Sequence, residues 1–172
     1  MEIRETYRIL LAELSEKTNS STDSQKFCEE VVNAFRPILA IDAMVMAVRF
    51  DENTFDVVSR FNRSYARLDE GRFLKINRTT PLADAIRLQK VQAWGTNQKL
   101  LREYPEALTW QVVPHAVVAV PIIEERRTVA GCVYALRDEF STDAQSEISE
   151  VLEATSHLIY QVYLRQLEQP SH

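Results

Sequence analysis

The stretch that most constrains the fold is residues 117–140, VVAVPIIEERRTVAGCVYALRDEF. It reads as two apolar strands, 116–123 and 128–136, joined by the charged turn Glu124-Glu125-Arg126-Arg127. Val117, Val118, Val120, Ile122, Ile123, Val129 and Val133 carry the β-branched bulk that fits a pleated surface. Runs this continuously apolar predict strands covered on both faces. The hairpin therefore belongs in the middle of a sheet with helices packed against it.

The rest of the chain supplies the cover. Ile3, Tyr7, Leu10, Leu11 and Leu14 make one helical stripe over 2–17. Thr22 and Gln25 have capping-box spacing and open a second helix, with Phe27, Val31, Phe35 and Ile38 on its buried face and Pro37 near its stop. Residues 43–50 and 54–61 read as a hairpin around Asp51-Glu52-Asn53. A loop with a short strand near 73–76 follows. Thr80-Pro81 starts a helix to about residue 89, with a hydroxyl cap and proline at its first position. A brief strand at 91–94 leads to a short helix with Leu100, Leu101 and Tyr104, which Pro105 ends, and 106–114 reads as irregular. Thr142 and Gln145 repeat the capping spacing before a long helix, 143–167, whose apolar face holds Ile148, Val151, Leu152, Thr155, Leu158, Ile159 and Val162. The pattern is α+β on an antiparallel sheet of about six strands with helices packed over it.

Length and composition set the class. A chain of 172 residues is expected to form a single domain over 1–172, with a first helix at 1–17 and a core at 22–167, and at this size buries about 70% of its unfolded surface. The formal net charge of −5 argues against a nucleic-acid surface covering the whole protein. Cys28 and Cys132 each fall inside an apolar element and read as reduced core residues of a cytoplasmic protein. No apolar run is long enough to span a membrane, and the N-terminus is unlike a signal peptide. Three glycines, Gly71, Gly95 and Gly131, leave no material for a glycine-rich phosphate loop.

The residues TTPLADAIRLQKVQAW (79–94), YPEA, HAVVAVPI (115–122) and TVAGCVYAL (128–136), followed by the long last helix, resemble a GAF domain. The resemblance covers roughly 22–167 and concerns architecture more than activity. It implies a sensory or regulatory module of the GAF/PAS kind from a bacterium, with the terminal helices on one face of the sheet and a small-molecule pocket on the other face, among the middle helices and loops. It further implies a homodimer through terminal helices and an output domain or partner protein that receives the signal. Some relatives attach a bilin to cysteine or reduce free methionine sulfoxide with a cysteine set. Residues 77–115 contain no cysteine, so both chemistries lack their thiol, and no cofactor is expected.

The expected pocket wall is Phe61, Phe73, Trp94, Leu101, Tyr104, Trp110, His115 and Tyr134: aromatics with a few polar tips suit a small-molecule site. The alternative is that these side chains simply close the core. A second candidate is the basic stretch holding Arg60, Arg63, Arg67, Arg72, Lys75 and Arg78 against Asp69 and Glu70, net +4 in an acidic chain. It suits an anionic ligand or an acidic partner, or is a solvated loop. His115 and Cys132 have no neighbours at metal-ligand or nucleophile–base spacing, and no catalytic constellation is visible. Two roles follow: a non-enzymatic small-molecule sensor, or a ligand-free dimerisation or interaction module whose basic segment docks an acidic protein or nucleic acid.

Overall fold

A computed structural model describes residues 3–62, 68, 71–110 and 112–169. Its elements are α1 (Ile3–Thr18), α2 (Ser24–Phe35), β1 (Ile41–Arg49), β2 (Thr54–Asn62), β3 (Phe73–Lys75), α3 (Pro81–Leu88), β4 (Gln92–Trp94), α4 (Asn97–Glu103), β5 (Ala116–Glu124), β6 (Arg127–Leu136) and α5 (Thr142–Leu167). The strands form one antiparallel sheet in the order β3-β2-β1-β6-β5-β4. β1 and β6 are the central pair, so one arm of the apolar hairpin lies at the centre and the other beside it. The architecture is the expected α+β layering.

Strand parity sorts the side chains into two cores. Met44 and Met46 of β1, Val118 and Val120 of β5, and Cys132 and Tyr134 of β6 face a core closed by α1, α2 and α5, with Tyr7, Leu14, Phe27, Phe35, Leu152 and Ile159. Ala43, Val45 and Ala47, Val117 and Ala119, and Val133 and Ala135 face a second core closed by α3 and α4. Gly131 lets α3 sit close on the sheet: a Cβ there would meet the Leu82 side chain at 2.9 Å and the Val120 carbonyl at 3.2 Å.

Four local features differ from expectation. Asp23, not Thr22, caps α2, its carboxylate accepting from the Gln25 and Lys26 amides. Ser141, not Thr142, caps α5. A 3-10 helix, Pro105–Thr109, occupies part of the segment expected to be irregular, because proline fits the first helical position as readily as it stops a helix. The apolar hairpin turns on two residues rather than four, since Glu124 pairs with Arg127. Glu125 and Arg126 then adopt positive φ of 51° and 66°, the requirement of a tight hairpin whose twist matches its strands.

Candidate functional site

The candidate site is the sheet face under the middle elements. Its floor is unusually small-chained: one register row runs Trp94–Val117–Ala135–Ala43 across β4, β5, β6 and β1, all four facing the second core. Ala47 and Ala119 extend that floor.

The wall begins with α3, which Thr80 caps by accepting from the Ala83 amide while Pro81 sits in the first turn. This places Leu82 and Ile86 against the sheet and Asp84 on the flank. Thr96 caps α4 in the same way through Lys99, bringing Leu100 and Tyr104 inward. The Tyr104 ring meets Trp94 edge-on, centroids 5.3 Å apart, a favourable aromatic geometry. The Tyr104 phenol donates to Asp84, which also pairs with Arg87. Arg87 in turn donates to the carbonyls of Ile76 and Arg78 (2.7 Å to the latter). Asp84, Arg87 and Tyr104 thus latch α3, α4 and the β3–α3 loop together. Burial, above all, raises the Tyr104 phenol well above its ordinary range, with Glu103 adding to the shift, so it remains a donor.

At one end of the central strands lies a polar group. His115 and Arg137 adjoin the paired residues Ala116 and Leu136, just outside β5 and β6. Asp42 lies beside them in the irregularity where β1 slips against β6, between Ile41 and Ala43. Arg137 Nε is 3.6 Å from Asp42 Oδ1, an ion pair without a hydrogen bond. Burial raises the Asp42 carboxyl above its ordinary value, while Arg137 and then His115 oppose the shift and Asp138 adds to it.

The structure brings together part of the expected wall. Trp94, Tyr104 and Trp110 share the second core and Leu101 packs at its margin. His115 is exposed at the rim. Tyr134 lies on the opposite face, donating to Ser156 of α5 at 2.7 Å; on a strand apolar on both sides, its parity is that of Cys132, not Val133. Phe61 packs against the first core. Phe73 is exposed on the edge strand, where it meets Phe50 and the Arg72 guanidinium.

The basic residues are dispersed. Arg60 donates to the Gly71 carbonyl, and its backbone is clasped by the Gln25 side-chain amide of α2. Lys75 borders an open depression beside Asp51 and Glu52. The Arg78 carbonyl serves the Arg87 latch. Arg63 and Arg67 lie outside the described residues. Asp42, Asp84, Arg87 and Arg137 were not anticipated; the i, i+3 pair Asp84/Arg87 is the one visible sequence signal among them. Among the described residues no group of three or more His, Cys, Asp or Glu is placed to hold a metal ion, and no helix is long and apolar enough to cross a membrane.

Solved structures with this layering settle the fold. The A. aeolicus nlh2 GAF domain in an inactive state superposes with a TM-score of 0.71 at 11% identity, covering 98% of this chain and 100% of that one. This chain has a GAF-domain fold. The GAF domain of a phosphoenolpyruvate-protein phosphotransferase from Coxiella burnetii gives a TM-score of 0.69 at 14% identity, covering 96% of this chain and 97% of that one. The free methionine-R-sulfoxide reductase from Neisseria meningitidis, in complex with its substrate, gives 0.68 at 9% identity over 98% and 94%. No family model and no curated protein sequence matches the chain.

Proposed function

We propose that this GAF-fold domain is a non-enzymatic sensory or regulatory module that binds a small molecule between the sheet and its middle elements. The observation that carries this reading is the alanine- and valine-rich floor beneath a wall of short elements tied to one another by the Asp84–Arg87–Tyr104 latch. Small floor residues leave room for a ligand once the wall lifts, and α4 and the 3-10 helix span only seven and five residues. Short elements with few anchors open locally at low cost. The likeness to sensor-type GAF structures supports the regulatory role, and the terminal helices α1 and α5, which pack on each other over the opposite face, offer the route by which binding reaches a second copy or an output partner.

The likeness to a reductase weighs less. Cys28 and Cys132 are both buried on the far side of the sheet, and burial pushes the Cys132 thiol up to about 11. A thiol so placed is a poor nucleophile toward anything bound at the candidate face.

A thermal-shift screen of a metabolite library tests the reading. A ligand at a hundred times its Kd stabilises by about 2.7 kcal/mol, or about 5–10 °C in a chain of this length. The binding protein should also show slowed hydrogen exchange in 81–110. A screen in which no compound raises Tm, with exchange in 81–110 as slow as in β1 and β6, would overturn it.

A further inference from the structure

We propose that Asp42 is the ligand-reading carboxylate of this face, and that the ligand brings a cationic N–H donor, a primary ammonium or an amidinium, to its Oδ1, which faces Arg137 without accepting a hydrogen bond. The inference rests on the small-molecule reading above and names the chemistry that reading leaves open.

Asp42 Oδ1 is buried and has no hydrogen-bond partner among the described residues. Buried carboxylate oxygens nearly always have one, so an orphaned acceptor of this kind calls for an explanation. Its nearest cation does not supply the bond. Arg137 Nε stands off at 3.6 Å, and the Arg137 side chain is 53% exposed where that of Asp42 is 16% exposed. Arg137 is therefore largely hydrated, and the pair is loose. The other groups acting on Asp42 are His115 at the entry to β5 and Asp138 just past β6, neither of which hydrogen-bonds to Oδ1.

Placement turns the orphan into a site. Asp42 sits in the register slip next to Ala43, whose row Ala43–Ala135–Val117 faces the second core, and His115 and Arg137 adjoin the ends of β5 and β6 just past that row. A ligand resting its apolar body on that floor presents its end to Asp42. There an unused, poorly solvated carboxylate oxygen favours a charged donor, since charge-assisted bonds are about twice as strong as neutral ones. An anion would meet Asp42 and Asp138 together. A cationic ligand competes with Arg137 for the same oxygen, and the exposed guanidinium yields by swinging further into water.

The test uses benzamidine and phenethylamine, with benzamide and phenethyl alcohol as neutral counterparts, titrated by calorimetry into the full chain, Asp42→Asn and Arg137→Gln. Both cations should bind the wild type, bind Asp42→Asn at least about tenfold more weakly, and bind Arg137→Gln several-fold more tightly. In the wild type their affinity should fall as pH drops through the raised Asp42 value, a readout that holds if Asp42→Asn does not fold. Cations that bind Asp42→Asn as well as wild type, or that lose affinity in Arg137→Gln, overturn the assignment. Neutral probes that bind the wild type as tightly as their cationic counterparts overturn it as well, while leaving the small-molecule face intact. Binding of none of the four probes at millimolar concentration overturns the cation reading, and the library screen above then decides the face on its own.

Discussion

The phenol of Tyr104 donates to the carboxylate of Asp84, joining the end of α4 to the first turn of α3. Tyr104 is 1% exposed, so its hydroxyl has no water to turn to if Asp84 is lost. The same carboxylate holds Arg87, and Arg87 holds two carbonyls of the β3–α3 loop. One acidic side chain therefore fixes three segments of the wall over the sheet.

Tyr104→Phe removes one bond to a charged acceptor and keeps the ring. Asp84 retains Arg87 and some solvent contact, so the low end of the usual range applies, about 1.5 kcal/mol, or about 3–6 °C in Tm. The Trp94 contact survives, and tryptophan emission should keep its maximum. Asp84→Asn weakens the Arg87 pair as well and should cost more. Differential scanning fluorimetry of the two variants checks the order; a larger loss in Tyr104→Phe would mean the phenol, not the carboxylate, is the hub.

On the other face, Ser156 donates to the Leu152 carbonyl at 2.7 Å. A hydroxyl has one proton, so Tyr134 must be the donor in the Tyr134–Ser156 bond. Ser156→Ala leaves a fully buried phenol unpaired, at a cost of about 1–3 kcal/mol. Adding Tyr134→Phe removes the orphan. The double variant should therefore be more stable than Ser156→Ala alone, with a coupling energy of about 1 kcal/mol in urea unfolding. Strict additivity would show that the two hydroxyls do not depend on each other.

The turn at Glu125-Arg126 places two non-glycine residues in the left-handed region, where each Cβ carries a steric penalty of about 1–2 kcal/mol. The backbone suits Asn-Gly far better. Gln89, itself at positive φ closing α3, donates to the Arg126 carbonyl at 3.0 Å, a bond that survives replacement of the side chains. The double substitution Glu125→Asn, Arg126→Gly should raise Tm by about 2–4 °C for a gain of about 1 kcal/mol. A lower Tm would place the value of those side chains above the backbone strain they carry.

What the chain discloses in advance follows from which patterns are redundant. Thr80-Pro81 specifies a helix start twice over, by hydroxyl and by ring, and the start falls there. The apolar runs at 116–123 and 128–136 specify strands by bulk alone and do so correctly. Those same runs carry no polar residue to mark a face, so Tyr134 could not be assigned to the α5 side from sequence. Asp23 displaced Thr22 as a cap because neighbouring oxygens compete for the same amides. Asp42 was hidden for a different reason: it sits in a register slip between two strands distant in sequence, and no local pattern encodes a slip. Trp94, Tyr104 and Trp110 were legible as a group because aromatics of that size have few places to go other than a core.

Asp42 also makes a prediction about the unliganded protein. Its folded carboxyl is raised above the ordinary value by burial, so its charged form is disfavoured on folding. Between the unfolded value, about 3.9, and the raised folded one, the native state binds more protons. Stability then falls as pH rises through that window, and the deficit persists above it. Asp42→Asn abolishes the deficit. It should be more stable than wild type at pH 7, with the advantage shrinking as pH falls to about 4 and below. Urea unfolding at the two pH values checks the sign. A variant less stable than wild type at pH 7 would mean that Arg137 holds Asp42 as a stabilising ion pair, and that the oxygen is not waiting for a ligand.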